Sequence, residues 1–414
     1  MESPAVPLSQ RSDYALALSG GGVRAMVFHL GVLKYLAEQQ ALERVAQIST
    51  VSGGSLLVGL MLHENHGQWP DSATFLQGVY PALRDKLCSR SLLWSALRQL
   101  RNPLNFRFLL SRANLLALAL QNEWGVTALL PQLPARPDWS INGTTAENGK
   151  RFRFKRNNMG DYSIGYAATS GFPLAQALAV SAAFPGGIGP LSLKTRRFKW
   201  LQRQWEAPLN SAVEVRLPFS KLRLYDGGVY DNLGLEPLFD AATGQTKRYD
   251  YPIIVSDAGA PLKPGFDAGV LSPWRLKRLA DIMSDQTRAL RGRTFVEYLK
   301  KAPGRGAYLG IASSLIEPLE GSDAAFAAGF PTTLNRLKPE VFDRIARHGH
   351  AVAQATDRQY PLLPVARKSP SPSRRREPAT AHDSQGSTST PKLALTTRAV
   401  PANCIGIIGW DSTR

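Results

Sequence analysis

Three stretches of the chain carry residue types able to do chemistry together. Ser52 lies in Ile48-Ser49-Thr50-Val51-Ser52-Gly53-Gly54-Ser55-Leu56-Leu57-Val58, a strand-like run that stops at a serine, passes two glycines and continues as an apolar helix. A serine on so sharp a turn is pushed out of the backbone with its hydroxyl exposed, and Gly53 and Gly54 give the chain room to fold around it. The match to the elbow pattern Gly-x-Ser-x-Gly is incomplete, since Thr50 stands where the first glycine is expected. An ordinary strand-to-helix connection has the same look.

The second stretch is Gly20-Gly21-Gly22-Val23-Arg24, which follows the apolar run 14–19 and opens a helix. Such a loop leaves backbone N–H groups free at a helix N-terminus, where they hold an anion: a phosphate, or the oxyanion of an acyl-transfer intermediate. The spacing fits neither Gly-x-Gly-x-x-Gly nor the Lys-Ser/Thr ending of a P-loop, which favours the oxyanion. The third stretch is Asp226-Gly227-Gly228, at the end of the strand candidate Leu222-Arg223-Leu224-Tyr225. A carboxylate there lies on the edge where α/β sheets bind ligands. Asp257, closing the apolar run from Tyr251, is a competing carboxylate.

A Ser-His-Asp triad would need a histidine after the aspartate, and only His348, His350 and His382 follow Asp226. His63 and His66 flank Glu64 at a helix end and read as a solvated terminus rather than a metal site. Cys88 and Cys404 are far apart and lack metal-ligand spacing, so no disulfide framework, zinc site or other cofactor is expected, and the compartment reads as reducing.

The elements that must position these residues follow from periodicity. Met26, Val27, Leu30, Leu33 and Leu36 recur at helical spacing after the glycine loop. Residues 72–124 read as helices. The alternation in 139–156 around Asn148-Gly149 reads as a hairpin. The small-residue run 174–184 reads as a closely packed helix, 274–301 as a long basic helix, and 339–360 as a closing helix. Glycine loop, Ser52 turn and Asp226 turn each sit at a strand end and are expected to meet at one edge of a parallel sheet.

With 414 residues, 43% of them hydrophobic, the chain can bury a large core. Its net charge of +18 implies attraction to anionic surfaces, whether nucleic-acid phosphates or lipid headgroups. Between 84 and 112, seven Arg and Lys residues stand against Asp85 and are interleaved with Leu, Phe and Trp. This is the pattern of an interfacial helix, or of a helical cap with a solvated face. Residues 1–13 form a polar N-terminal extension, and no apolar run approaches the length of a membrane span. The expectation is a cytoplasmic protein or one held peripherally at a membrane. From Ala366 to Arg414 the composition turns Ser-, Pro- and Thr-rich, with eight basic residues against three acidic ones, and reads as a disordered basic tail.

Ser19-Gly20-Gly21-Gly22-Val23-Arg24, Val51-Ser52-Gly53-Gly54-Ser55, Ser181-Ala182-Ala183-Phe184-Pro185 and Asp226-Gly227-Gly228-Val229-Tyr230-Asp231-Asn232 together resemble the patatin-like phospholipase family. The resemblance covers about residues 14–260. It implies an α/β fold: a three-layer α/β/α sandwich with a mostly parallel central sheet plus helical additions, here one domain over 14–365 with an insertion at about 72–124. It also implies a Ser-Asp dyad with Ser52 as nucleophile and Asp226 as base. Gly20, Gly21 and Gly22 would form the oxyanion hole, supported by Arg24, Gly54, Gly227 and Gly228. The family has glycine where this chain has Ala25 and Thr50, and a Thr50 side chain would crowd the elbow. The implied substrate is a phospholipid or other lipid ester, reached at an anionic membrane surface. Nucleic acid is not the expected partner. The rival readings are a Ser-His-Asp esterase using His348 or His350, and a non-catalytic basic protein that binds polyanions.

Overall fold

Alternation along the first strand sets the layers of the fold in the computed structural model. It describes residues 13–362 apart from 186, 204–207, 209–210, 263, 267–268, 270–271, 273 and 314–322. Most of the expected N-terminal extension, the basic tail and His382 lie outside the described residues. The strands are β1 (Tyr14–Leu18), β2 (Val45–Thr50), β3 (Asp138–Thr145), β4 (Arg151–Phe154), β5 (Asn158–Asp161), β6 (Gly165–Ala168), β7 (Leu191–Lys194), β8 (Trp200–Gln202), β9 (Val213–Val215), β10 (Lys221–Asp226), β11 (Phe239–Asp240), β12 (Gln245–Thr246), β13 (Ile253–Asp257) and β14 (Gly306–Gly310). The helices are α1 (Gly22–Glu38), α2 (Gly53–Glu64), α3 (Ser72–Thr74), α4 (Tyr80–Ser89), α5 (Leu92–Arg98), α6 (Arg112–Asn122), α7 (Leu174–Ser181), α8 (Gly228–Asp231), α9 (Trp274–Lys300), α10 (Asp323–Gly329) and α11 (Pro339–Gln359).

Tyr14, Leu16 and Leu18 of β1 face one core with α1, α2, α6, α7 and α11, whereas Ala15 and Ala17 face a second core with Leu233, Phe239, Phe295 and Tyr298. Side chains alternate across a strand, so one five-residue run joins two helical layers through the sheet between them. This is the expected α/β/α sandwich. β14, β13, β1, β2 and β3 run parallel, which explains why β1 and β13 are buried along their whole length. Beyond β3 the sheet continues antiparallel through β4, β5, β6, β8 and β9, with the expected hairpin joining β3 to β4.

One expectation is corrected by the topology. β10, which ends at Asp226, does not belong to the parallel set: it pairs antiparallel with β3 and β7. β2 pairs with β3 from Asp138 to Ile141, and β10 pairs with β3 from Gly143 to Thr145. The two strands approach from opposite directions and end on either side of Asn142.

Candidate active site

Ser52 occupies the turn between β2 and α2 with φ 50° and ψ −117°, a conformation L-residues rarely adopt. Its strain is on the order of 1–3 kcal/mol and must be offset by surrounding contacts. The Ser52 N–H donates to the Ser181 carbonyl at 3.1 Å and to Ser181 Oγ at 3.0 Å. Gly53 and Gly54 keep negative φ; what they supply is close approach. A Cβ on Gly54 would lie 2.5 Å from the Leu18 carbonyl oxygen, and one on Gly53 would overlap the Gly22 carbonyl. The N-terminus of α2 therefore packs directly against the glycine loop.

Thr50 does not crowd the elbow. Its side chain is buried, and Thr50 Oγ1 accepts from Trp139 Nε1–H at 2.9 Å and lies 2.7 Å from Ser55 Oγ. Ser55 Oγ is 2.8 Å from Ser181 Oγ, which donates to the Asn142 carbonyl at 2.7 Å. The two ends fix the direction of this chain. Indole N–H only donates and a carbonyl only accepts, so Thr50 donates to Ser55 and Ser55 donates to Ser181. Ser181 Oγ is thereby left as an acceptor for the Ser52 N–H. Each bond polarises the next.

Asp226 is 2% exposed. Its N–H donates to the Ala183 carbonyl at 3.0 Å, and its own carbonyl accepts from Thr144 Oγ1 at 2.9 Å. The carboxylate accepts from the Gly228 N–H at 2.7 Å, and the Ser52 hydroxyl is the other donor that draws its pKa down. Burial pushes its pKa up to about 7, against the pull of these two donors. Both glycines of the turn are closely approached, Gly227 by backbone and Gly228 by a side chain. A Cβ on Gly227 would lie 2.5 Å from the Asn142 carbonyl oxygen, and one on Gly228 2.7 Å from Asn232 Oδ1.

The glycine loop meets this pair. A Cβ on Gly20 would lie 3.0 Å from the Ser52 Cβ and would overlap Asn232 Oδ1. Of the three glycines expected to form the oxyanion hole, Gly20 has its N–H donating to the Asn232 carbonyl at 3.1 Å. The N–H groups of Gly21, Gly22 and Gly53 find no protein acceptor among the described residues. Gly22, with φ +63°, turns the loop into α1, and the next N–H, of Val23, is tied to the Thr333 carbonyl at 2.8 Å. Arg24 is buried and clamps the loop: its guanidinium donates to the Phe330 and Ala258 carbonyls at 2.6 and 3.0 Å. Burial lowers its pKa to about 10, so it remains a cation at neutral pH. His29 Nε2–H donates to the Ser19 carbonyl at 3.0 Å and Nδ1 accepts from Ser256 Oγ at 2.7 Å, fixing the residue before the loop. Burial lowers the His29 pKa to about 4 and keeps it neutral.

The rival groups are engaged elsewhere. Asp257 accepts from Arg288 at 2.7 Å, Tyr308 at 2.5 Å and the Gly259 N–H at 2.8 Å. His348 donates to the Ile311 carbonyl at 2.7 Å and packs on Phe28, while His350 pairs with Glu38 at 2.6 Å. Both belong to the α1–α11 contact. Neither sits beside Ser52 or Asp226, which overturns the triad reading. No metal-ligating cluster occurs among the described residues, His63 and His66 included. The positioning roles of Ser181, Asn142, Trp139 and Asn232 were not read from the sequence. The Ser-Ala-Ala-Phe-Pro motif pointed at the first of them without giving it a role.

Two buried groups act oppositely on stability in acid. The depressed His29 pKa means the unfolded chain binds the proton first, so stability falls as pH drops from about 6.5 to about 4. The raised Asp226 pKa means the folded protein binds its proton first, so stability rises as pH drops from about 7 to about 4. Each effect is on the order of 3 kcal/mol. Asp226→Asn removes the second effect alone: its Tm above pH 7 should equal or exceed that of the parent, and it should fall more steeply on acidification. Parallel Tm curves in a thermal melt series would contradict the assignment.

The sequence profile of the patatin-like phospholipase family matches residues 16–239, over half of the chain. A search of curated proteins finds no match. Among solved structures, human GIVD cytosolic phospholipase A2 is similar over 86% of this chain and 60% of that one, with 13% identity and a TM-score of 0.49. VipD from Legionella pneumophila is similar over 86% of this chain and 68% of that one, with 12% identity and a TM-score of 0.34. The chain thus spans 60% of the length of that phospholipase A2. With the glycine loop, the serine elbow and the Asp-Gly-Gly turn all inside the matched span, the chain belongs to the patatin-like phospholipase family.

Proposed function

We propose that the protein is a serine acyl hydrolase that cleaves ester bonds of phospholipids or other lipids through Ser52 and Asp226. The observation that carries the reading is Ser52 beside a dry carboxylate and beside N–H groups that have no protein acceptor among the described residues. Ser52 Oγ attacks the ester carbonyl carbon while its proton passes to Asp226. The carbonyl oxygen, now negative, is held by the N–H groups of Gly21, Gly22 and Gly53 at the start of α1 and α2. When the tetrahedral intermediate collapses, Asp226 returns the proton to the leaving alcohol and an acyl-Ser52 ester remains. Asp226 then takes a proton from water, hydroxide adds to the acyl carbon, and the fatty acid leaves as Ser52 recovers its proton. An aspartate in water is a weak base; raised to about 7 it is matched to this task at neutral pH.

The proposed setting is an anionic lipid surface. Trp94, Leu104, Phe106 and Leu110 are exposed around α5 and the segment leading to α6, beside Arg101 and Arg107. This segment is tied to both loops that border the site. Leu93 N–H donates to the Leu334 carbonyl next to Thr333, and Ser111 Oγ donates to the Pro190 carbonyl at 2.6 Å. Arg84, Lys86 and Arg98 of the same region form ion pairs with Asp343, Glu64 and Glu123 and so serve the fold. Among the described residues no helix is long and apolar enough to cross a membrane, in keeping with peripheral attachment.

Ser52→Ala and Asp226→Asn should each reduce hydrolysis of a short p-nitrophenyl ester by about a thousandfold or more while both proteins stay folded. For the parent, kcat/KM should rise with pH to a plateau above about pH 7, because protonated Asp226 cannot accept the Ser52 proton. Full activity in the Ser52→Ala protein, or a flat profile between pH 5 and 8, would contradict the mechanism. Ser181→Ala leaves the strained Ser52 backbone with one acceptor fewer. It should lower kcat about tenfold with little change in KM, a split that simple destabilisation would not give.

A further inference from the structure

The long helix α9 is held on one side and bare on another. Its inner face is clamped near the site: Arg288 pairs with Asp257 at 2.7 Å, Arg291 pairs with Glu236 at 2.5 Å and stacks on Tyr230, and Ser284 Oγ lies 3.5 Å from the Gly228 carbonyl. Phe295 and Tyr298 anchor its C-terminal half in the second core. Leu276, Leu279, Met283 and Leu290 point elsewhere. At 3.6 residues per turn they fall within about 60° of one another, away from the clamped face. They are 74%, 54%, 63% and 59% exposed.

We infer that this stripe is a docking surface for an anionic lipid bilayer, seating the mouth of the Ser52 site on its substrate phase; the inference rests on the acyl hydrolase reading. Four large apolar side chains in one exposed row mark a binding face rather than scattered surface residues. The charged residues nearest the row are Arg275 and Arg293, both exposed, while Glu297 continues its line one turn beyond Arg293 and is paired with Lys300, and Asp285 is turned inward to Arg288. Apolar side chains with basic neighbours match acyl chains under anionic headgroups. A helical partner from a second copy fits less well, since the row spans about two heptads and is broken by Gln286 and Thr287, short of the three or four a coiled-coil seam needs. The helix that carries the stripe borders the site with its opposite face. α9 reaches Gly228, two residues from Asp226, while α5 bonds to Leu334, next to the Thr333 that caps the glycine loop, and Ser111 after it bonds to Pro190. α9 lies outside residues 16–239, the span that the family profile matches.

The test compares the full chain carrying Ser52→Ala, which leaves vesicles intact, with the same chain also carrying Leu279→Ser and Met283→Ser. Flotation uses phosphatidylcholine vesicles with and without phosphatidylglycerol. The Ser52→Ala protein should float with the anionic vesicles, and the added pair should reduce its bound fraction about tenfold or more. Arg293→Gln should weaken recovery on anionic vesicles only. In the Ser52-intact background, Leu279→Ser with Met283→Ser should leave soluble-ester hydrolysis unchanged, which shows a folded site. Equal flotation of the two proteins would overturn the inference, as would absence of flotation by either. A dimer that the pair converts to monomer in light scattering would assign the stripe to a second copy and overturn it too. If no form hydrolyses esters, it is the hydrolase reading that fails, while flotation still decides the docking surface.

Discussion

One edge of β3 receives two strands running in opposite directions, and the rest of the site depends on that. β2 pairs as far as Ile141 and β10 as far as Gly143, so the strand ends meet across Asn142. Asn142 holds both. Its Nδ2 donates to the Thr50 carbonyl at 2.9 Å, and its own carbonyl accepts Ser181 Oγ at 2.7 Å and lies against the Cβ-less Gly227. A hydroxyl and a carboxylate 174 positions apart are thereby set face to face by backbone registry instead of by flexible loops. Groups whose places are fixed in advance need no reorganisation when charge develops between them.

The electrostatics follow from dryness. Asp226 has a hydroxyl and one N–H as partners, so burial dominates and its proton affinity rises. Asp257, equally buried at the end of the parallel strand β13, is paired with Arg288 and bonded by Tyr308. Two aspartates with the same place on the sheet edge are given different roles by whether a cation reaches them. Arg24 and His29 hold the glycine loop from below through backbone carbonyls and leave the N–H groups of Gly21 and Gly22 for what arrives from outside.

Much of the frame is legible in the sequence because its signals are local. The apolar runs of β1, β2 and β13, the glycine loop, the Ser52 turn and the Asn148-Gly149 hairpin each announce themselves within about ten residues. The antiparallel entry of β10 does not, since Leu222 and Leu224 alternate in the same way whichever direction the strand runs. Thr50 looks like an obstruction when only its bulk is considered. Trp139, 89 residues later, turns its hydroxyl inward and makes it a link in a chain of hydrogen bonds. The Gly20 N–H is lost to Asn232 for the same reason: a distant residue decides. The basic character of α9 is countable from composition, but its outward row of Leu and Met becomes visible only once Phe295 and Tyr298 have fixed which side faces the core.

The central claim is that Ser52 is a nucleophile activated by Asp226. Labelling the full chain with a fluorophosphonate probe and mapping the adduct by mass spectrometry tests it most directly. The account predicts a single phosphonylated peptide carrying the probe on Ser52, strongly reduced in Asp226→Asn. A probe attached to another residue, or labelling of Ser52 at an unchanged rate in Asp226→Asn, would contradict it.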